Sequence, residues 1–218
     1  MKERSRLGRR RAMQDPASAS PSVPVGNAYD KYGSTNPVVR RLMRGFTAEL
    51  DELLEVAAPR SVLDVGCGEG VLTAQWAERF ERVVGVDLDH PTLRREWEDR
   101  RRSNVDFRAA DAASLPFAEN EFDVVCGLEV LEHLPDPSAA LAEMARVARR
   151  WVLVSTPREP LWRMLNMLRG AHWRSLGNTP GHLNHWSERG LRTFVAQHGR
   201  IAETRTPKPW VMVLVEVS

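Results

Sequence analysis

The sequence carries a glycine-rich turn directly after an apolar strand, at residues 62–70 (V-L-D-V-G-C-G-E-G). Gly66, Gly68 and Gly70 lack the side chains that would keep a ligand away from the backbone, and glycine accepts the positive φ angles of a tight strand-to-helix turn. Asp87 ends the next apolar run seventeen residues after Gly70, close to the spacing of about 20 at which a carboxylate meets ribose hydroxyls in dinucleotide folds. This pairing predicts a site for a nucleoside-containing cofactor.

A second group of chemically active side chains follows the fourth apolar run, F-D-V-V-C-G-L. It consists of Glu129, Glu132 and His133, whose positions i, i+3 and i+4 would face one direction from a single helical turn. Two further histidines, His182 and His185, precede a predicted helix farther along the chain. Carboxylates and imidazoles that converge at one pocket suit a divalent cation. The sequence therefore predicts a metal site or a catalytic base at the end of the fourth strand.

Both groups need a scaffold that brings strand ends together, and the order of the apolar runs predicts one. Continuously apolar strands are typical of a sheet buried on both faces. Their alternation with helices is typical of an α/β fold with a doubly wound, mostly parallel sheet, which binds ligands at the carboxyl ends of its strands. The predicted strands are residues 61–65, 83–87, 105–109, 122–128 and 151–155, and the predicted helices are residues 38–57, 71–80, 91 onward, 137–149 and 187–198.

The C-terminal part of the chain departs from this alternation. Residues 201–206 and 211–217, joined through P-K-P, predict a hairpin that adds antiparallel pairing at the sheet edge. Residues 157–186 predict an insertion that covers the substrate. This lid and the N-terminal segment contain aromatic residues suited to an apolar or ring-shaped substrate. These substrate candidates are Tyr29, Tyr32, Trp162, Trp173 and Trp186.

The turn D-V-G-C-G-E-G resembles the first motif of class I S-adenosylmethionine-dependent methyltransferases. Its glycines follow G-x-G-x-G and not the G-x-G-x-x-G pattern of pyrophosphate binders. The resemblance implies a Rossmann-like sheet of seven strands with a C-terminal antiparallel hairpin strand, and S-adenosylmethionine as the cofactor. It also implies that Asp64 lies near the methionine end of the cofactor, Asp87 on the ribose and Asp111 on the adenine. The implied cofactor contacts are Asp64, Gly66, Gly68, Gly70, Asp87, Leu88, Asp111, Ala112 and Leu128.

The pattern E-x-x-E-H, followed about fifty residues later by a histidine, resembles two metal-dependent branches of that family. These are the ubiquinone-pathway O-methyltransferases and the small-RNA 3′-terminal 2′-O-methyltransferases. The resemblance implies a divalent ion (Mg, Mn, Fe, Co or Zn) bound by Glu129, Glu132, His133 and a distant histidine. His185 is preferred for that last position because it directly precedes the W-S-E-R-G-L helix start, and His182 is the alternative.

L-E-H-L also occurs in small-molecule methyltransferases that bind no metal. In those enzymes the two glutamates cap the chain or face solvent, and the histidine orients the substrate or acts as a base. His133 is therefore expected beside the methyl acceptor on either interpretation. Together with Glu129 and Glu132 it forms the set of candidate catalytic residues.

The predicted function is S-adenosylmethionine-dependent methyl transfer to a hydroxyl oxygen of a small molecule, with a divalent metal as a possible second cofactor. Two other enzymatic functions stay open: metal-free transfer to a small-molecule nitrogen, and 2′-O-methylation of an RNA 3′ terminus. A cofactor-binding subunit without catalysis is a further alternative, which the intact glycines and acidic positions disfavour.

The formal net charge of +2 conceals an asymmetry between the chain start and the rest. The first twelve residues carry six basic groups against one acidic group, so the remaining chain has a net charge of −3. Nucleic-acid binding requires basic charge on a folded face. The charge distribution therefore favours a small-molecule substrate over RNA.

The remaining composition bounds the organisation of the chain. Residues 1–27 predict a disordered basic and Pro/Ser-rich tail, and residues 28–218 a single methyltransferase domain. No apolar stretch predicts a membrane span or a secretory signal. Cys67 and Cys126 do not form a disulfide framework pattern, so a cytoplasmic location with reduced thiols is expected. The sequence does not indicate an oligomeric state.

Overall fold

The computed structural model describes residues 33–168, 178–179 and 181–217. The predicted N-terminal tail, Tyr29, Tyr32 and Trp173 lie outside these described residues. None of the helices in the described ranges is both long and apolar enough to cross a bilayer.

The first described helix, α1 (Pro37–Ala57), covers the predicted residues 38–57 and includes Pro37 as its first residue. Asn36 caps it by accepting a hydrogen bond from the Val38 N–H at 2.9 Å, and Pro37 occupies the first turn, where no amide donor is needed. The apolar residues recur at helical spacing and are buried on one face. They are Met43, Phe46, Leu50, Leu53 and Leu54.

Seven strands form one sheet in the order β3-β2-β1-β4-β5-β7-β6, which confirms the predicted fold class. The pairs β1–β2, β2–β3, β1–β4 and β4–β5 are parallel. Their residues are β1 (Ser61–Val65), β2 (Arg82–Asp87), β3 (Val105–Ala109), β4 (Phe122–Leu128) and β5 (Ala148–Pro157). The chain therefore crosses from one side of β1 to the other between β3 and β4. In such sheets the crevice for a ligand lies at this switch point, outside the carboxyl ends of β1 and β4.

Two hydrophobic clusters, one on each face of the sheet, explain why the strands are continuously apolar. Val62 and Val124 belong to the cluster that contains α1, whereas Leu63 and Val125 belong to the cluster that contains α4 (Pro137–Val147). Successive residues of a strand point to opposite faces, so burial of both faces removes the polar alternation.

The C-terminal hairpin is confirmed. Strands β6 (Gly199–Arg205) and β7 (Trp210–Val217) pair antiparallel, and β7 also pairs antiparallel with β5. Within the hairpin β7 lies inside the sheet, and β6 forms the edge. This arrangement places Trp210, the first residue of β7, opposite Pro157 at the end of β5.

Several helices are shorter than their apolar periodicity predicts. The helix after the glycine turn is α2 (Val71–Gln75), which continues as a 3-10 turn over Trp76–Glu78. Helix α4 ends at Val147 because Ala148 already pairs with Phe122 as the start of β5. The remaining helices are α3 (Pro91–Arg100), α5 (Leu161–Leu168) and α6 (Glu188–Val195).

Candidate functional site

The glycine turn after β1 has the backbone that its sequence predicts. Gly66, Gly68 and Gly70 have φ angles of 73°, 55° and 76°, in the left-handed region that favours glycine. The N–H groups of Gly66 and Cys67 donate to the Val86 carbonyl oxygen at 2.8 and 3.0 Å, which ties the turn to β2. The turn is therefore fixed against the neighbouring strand.

Two of these glycines are also required by close packing. A Cβ atom at Gly66 would lie 2.2 Å from a methyl carbon of Val130, and one at Gly70 would lie 2.4 Å from the ring of Phe107. Neither Val130 nor Phe107 was identified from the sequence as part of the site. Their proximity arises from strand order, which places the ends of β4 and β3 on the two sides of β1 and β2.

Asp87 holds the Gly68 peptide from one side. Its carboxylate accepts hydrogen bonds from the Gly68 N–H at 2.8 Å and from the Leu88 N–H at 2.7 Å. Burial raises the pKa of this carboxyl above its ordinary value, and the two amide donors act against that rise. A carboxylate in this place fits the predicted role as the ribose partner.

Trp97 holds the next peptide group, on the other side of the Gly68 Cα. Its indole N–H donates to the Gly68 carbonyl oxygen at 2.8 Å, and its ring stacks on Phe107 with centroids 5.8 Å apart. Nothing in the local sequence distinguishes Trp97 from an ordinary buried residue of an amphipathic helix. Only the packing of α3 on the turn reveals its contact.

The other predicted cofactor residues lie at neighbouring strand ends. Asp64 is buried and accepts a hydrogen bond from the Thr73 hydroxyl at 2.6 Å, which joins β1 to α2. Asp111 follows β3, is exposed, and accepts from the Ala113 N–H at 2.9 Å. Leu128 ends β4 and is buried. The carboxylates of Asp64, Asp87 and Asp111 thus all lie at the carboxyl edge of the sheet. Their contacts with a cofactor remain predictions.

Replacing Asp87 with alanine is expected to weaken binding of S-adenosylhomocysteine about 10- to 100-fold, since a hydrogen bond to a charged group contributes about 1.5–3 kcal/mol. The variant would lose both the predicted ribose partner and the acceptor of the Gly68 N–H. Isothermal titration calorimetry measures the change, and Asp99→Ala on the exposed face of α3 is the matched control. Because the pKa of Asp87 is raised, acidification should also weaken binding to the wild type earlier than an ordinary aspartate would. Equal affinities of Asp87→Ala and wild type would contradict the role.

The second site is a cluster of Glu132, His133 and His182. One ligand atom from each residue lies within 4.8 Å of the others. The Glu132 side chain is buried, and the rings of His133 and His182 meet edge to face with centroids 4.9 Å apart. A carboxylate and two imidazoles are the donor set of many transition-metal sites.

The tautomer of His133 fits a metal ligand. Its Nδ1 lies 3.0 Å from the Gly181 carbonyl oxygen, which can only accept, so Nδ1 carries the proton. The lone pair is then on Nε2. Histidines that bind metals usually donate their other ring N–H to a carbonyl or carboxylate in this way.

Backbone hydrogen bonds bring His182 to the cluster. The N–H groups of Leu183 and Asn184 both donate to the Glu132 carbonyl oxygen, at 2.7 and 3.1 Å. The Asn184 side chain donates to the carbonyl oxygens of Leu131 and Leu134 at 3.2 and 2.7 Å. The loop after residue 180 is thereby joined to the 3-10 turn Leu131–His133.

The preference for His185 over His182 is reversed by this geometry. The His185 Nδ1 lies 3.9 Å from a carboxylate oxygen of Glu159, and its ring centroid is 6.4 Å from that of His182. His185 therefore lies behind His182 and is not in the group that could hold a cation. The hydrogen bonds of the Leu183 and Asn184 N–H groups to the Glu132 carbonyl oxygen determine which histidine joins the cluster. Adjacency to the start of α6 does not.

The expected single helical turn over Glu129, Glu132 and His133 was wrong. The 3-10 turn covers only Leu131–His133, and Glu129 has a left-handed backbone with φ of 62°. Its carboxylate accepts hydrogen bonds from the Ser155 hydroxyl at 3.2 Å and from the Trp210 indole N–H at 2.6 Å. The structure thus separates Glu129 from the group of Glu132 and the two histidines.

The candidate substrate residues occupy different places. The Trp162 ring stacks on His182 with centroids 6.2 Å apart and contacts Trp210 at 6.1 Å. Trp186 packs on Phe194 of α6 at 5.5 Å. Of the described tryptophans that the sequence assigned to the substrate, Trp162 is the one beside the cluster. Trp210 was missed, because a tryptophan at a strand start carries no signal of its distant contacts.

Comparison with known proteins places these features in context. Residues 63–152 match the family described as "Methyltransferase domain". The chain is 32% identical over 160 residues to a ubiquinone biosynthesis O-methyltransferase of Methylococcus capsulatus, covering 65% of this chain and 67% of the relative. It is 42% identical over 103 residues to the protein of the same name from Hahella chejuensis, covering 46% and 43%. It is 39% identical over 109 residues to methyltransferase GfsG of Streptomyces halstedii, covering 47% and 39%. The matches thus span between 39% and 67% of the lengths of these relatives.

Solved structures share the fold. Magnesium protoporphyrin IX methyltransferase of Synechocystis, crystallised with bound S-adenosylhomocysteine, superposes with a TM-score of 0.63 at 21% identity, covering 85% of this chain and 90% of that chain. The N-methyltransferase NodS of Bradyrhizobium japonicum superposes with a TM-score of 0.62 at 19% identity, covering 81% and 97%. Both structures are less than 25% identical to this chain, so the likeness establishes the fold alone.

Proposed function

Because the chain belongs to the class I S-adenosylmethionine-dependent methyltransferases, we propose that it transfers the methyl group of S-adenosylmethionine to a hydroxyl oxygen of a small molecule. The observation that carries this proposal is the adjacency of two sites at the carboxyl edge of the sheet. The glycine turn with Asp87 lies at the end of β1 and β2, and the cluster of Glu132, His133 and His182 lies beyond the end of β4.

The cofactor half of the site needs little chemistry of its own. The methyl group on a sulfonium is already activated, so the chain contributes by holding the donor and acceptor in line. Asp87 would accept hydrogen bonds from the ribose, and Asp111 would meet the adenine amino group. The bare backbone of the glycine turn would accommodate the rest of the nucleoside. Asp87 and Trp97 keep that backbone in place by hydrogen bonding the N–H and the carbonyl oxygen of Gly68, respectively.

The acceptor half must manage the proton that the hydroxyl loses. An alcohol or phenol is a poor nucleophile until it is deprotonated, and a general base contributes about 10²–10⁴-fold. The hydrogen bond of His133 Nδ1 to the Gly181 carbonyl oxygen leaves Nε2 as the ring atom that would accept a proton or bind a metal. Either use requires His133 to remain beside the acceptor.

The donor set also fits a divalent cation, held by Glu132, His133 and His182. A carboxylate with two imidazoles favours Fe(II), Co, Zn or Mn over Mg, which prefers oxygen ligands. Metal–nitrogen and metal–oxygen bonds of about 2.0–2.2 Å allow donor separations up to about 4.4 Å, and the donor atoms of this group lie within 4.8 Å of one another. When bound, such a cation would lower the pKa of the acceptor hydroxyl and anchor a neighbouring oxygen.

Two neighbouring oxygens on the acceptor would exploit such a cation best, so we propose a 1,2-dihydroxybenzene or similar compound as the substrate class. Support comes from the relatives named ubiquinone biosynthesis O-methyltransferase and from the stacked rings of Trp162 and His182. Flat aromatic walls favour a planar substrate.

The test is a transfer assay with radiolabelled S-adenosylmethionine and a panel of catechols, monophenols, amines and short RNAs. We expect O-methylated catechols, a loss of activity of more than about tenfold after chelation, and recovery on addition of Mn, Fe(II), Co or Zn. Elemental analysis of the purified protein gives an independent reading of the metal. Full activity after thorough chelation would remove the metal from the proposal. Transfer only to amines, or only to RNA with a steep salt dependence, would replace the proposed function.

A further inference from the structure

Glu129 joins the ends of three strands, β4, β5 and β7. Its N–H donates to the Ser155 carbonyl oxygen of β5 at 3.1 Å, continuing the parallel register of β4. Its carboxylate accepts from the Ser155 hydroxyl at 3.2 Å and from the Trp210 indole at 2.6 Å, on β7. One half-buried side chain at the end of β4 is therefore bonded to the adjacent strand β5 and to β7, the strand beyond it.

The backbone of Glu129 explains where its carboxylate lies. A left-handed conformation, here with φ of 62°, is uncommon for a residue other than glycine and has a free-energy cost. It turns Glu129 out of the 3-10 turn that presents Glu132 and His133. The three bonds to Ser155 and Trp210 accompany this conformation and offset its cost.

Trp210 connects Glu129 to the aromatic residues beside the cluster of Glu132, His133 and His182. It is 5% exposed, and its ring packs edge to face on Phe46 of α1 with centroids 5.1 Å apart. Its other neighbour is Trp162, whose indole N–H donates to the Thr179 hydroxyl at 2.9 Å. Trp162 in turn stacks on His182. A continuous set of contacts thus runs from Glu129 to the cluster.

We propose that Glu129 is a positioning residue that acts through Trp210. By accepting the indole N–H it fixes Trp210, and Trp210 and Trp162 together form the aromatic wall beside His182 against which the ring of the acceptor lies. This inference rests on the proposed function. It assigns Glu129 a role distinct from the metal ligand that the E-x-x-E-H pattern implies.

The two roles predict opposite behaviour of the conservative variant. Glu129→Gln keeps an acceptor for the Trp210 N–H and a donor for Ser155, whereas it removes the negative charge that a cation needs. Glu129→Ala removes both. Trp210→Phe keeps an aromatic ring at this position but deletes the indole N–H. The hydrogen bond to Glu129 is then lost because its donor is absent.

The experiment compares these three variants and the double variant Glu129→Ala/Trp210→Phe. We expect Glu129→Gln to keep KM for the catechol within about threefold of wild type. Glu129→Ala should raise KM about tenfold or more. The variant leaves the buried Trp210 N–H without its acceptor, and the free-energy cost of such a loss corresponds to about a tenfold change in binding. The double variant should be no worse than Glu129→Ala alone, because both changes remove one interaction. Metal content and S-adenosylhomocysteine affinity should be unchanged throughout.

A spectroscopic measurement tests the role of Glu129 independently of the proposed function. Near-ultraviolet circular dichroism reports on the packing of the tryptophans whether or not a substrate is known, and we expect Glu129→Ala to change it and Glu129→Gln to preserve it. Loss of metal and activity in Glu129→Gln as severe as in Glu129→Ala would make Glu129 a metal ligand and overturn the inference. Unchanged spectra and KM in Glu129→Ala would overturn it as well. Absence of both cofactor binding and methyl transfer in the wild type, with the spectral differences intact, would instead reject the proposed function.

Discussion

A Gly66→Ala variant is expected to bind S-adenosylhomocysteine at least about 100-fold more weakly than the wild type. The added Cβ would lie 2.2 Å from a methyl carbon of Val130, and alanine at a φ of 73° is strained. Strain and overpacking of this kind each cost about 1–3 kcal/mol. The same methyl group would also stand where the nucleoside must approach the backbone.

Calorimetry with S-adenosylhomocysteine measures the affinity, and thermal unfolding shows how much of the protein remains folded. Gly45→Ala is the matched control, because a Cβ at this exposed position of α1 meets nothing within 4 Å. It should leave the affinity unchanged and stabilise the helix by about 0.5–1 kcal/mol. A folded Gly66→Ala protein with wild-type affinity would show that the cofactor does not lie against this turn.

The second large effect is expected at His182. Replacement by alanine removes one of the three donors of the proposed metal site, and we expect the affinity for the metal to fall at least about 100-fold, more than the 10–100-fold caused by loss of an outer-shell partner. Methyl transfer should fall with it. His185→Ala is the matched control, because that ring lies on the Glu159 side of His182.

Elemental analysis and a titration with Mn or Zn give the metal stoichiometry of both variants without reference to activity. The account predicts loss of metal in His182→Ala and retention in His185→Ala. The reverse pattern would restore His185 as the ligand and would show that the chain rearranges around residues 182–185 when a cation binds.

The sequence predicted those features whose local residue pattern by itself matches their conformation and burial in the folded protein. Strands β1, β3 and β4 have their predicted bounds, because a parallel strand buried on both faces is a continuous apolar run between polar turns. The glycine turn was equally predictable, since Gly66, Gly68 and Gly70 are the residues that tolerate positive φ.

The features that could not be predicted depend on contacts between distant parts of the chain. The i, i+3, i+4 spacing suggested that Glu129 would point with Glu132 and His133, but a hydrogen bond from Trp210, 81 residues away, accompanies a different backbone conformation. The choice between His182 and His185 depended on two amide donors that bond to Glu132. Neither interaction has a signature in local sequence.

Trp97 and Phe107 show the same limit in the cofactor half. Each is an ordinary apolar residue in its own element, yet together they pack beneath the glycine turn, and Trp97 bonds the Gly68 carbonyl. Their contribution follows from strand order, which periodicity alone does not give. The sequence therefore predicted candidate residues at particular strand ends, and tertiary contacts determine which of their side chains lie together.

The most direct test of the central claim is a crystal structure of the protein with S-adenosylhomocysteine. The account predicts that the nucleoside lies along residues 66–70, with the ribose hydroxyls within hydrogen-bonding distance of Asp87 and the adenine beside Asp111. The sulfur should face Glu132, His133 and His182. A nucleoside bound elsewhere, or a turn kept closed by Val130 at saturating ligand, would contradict it.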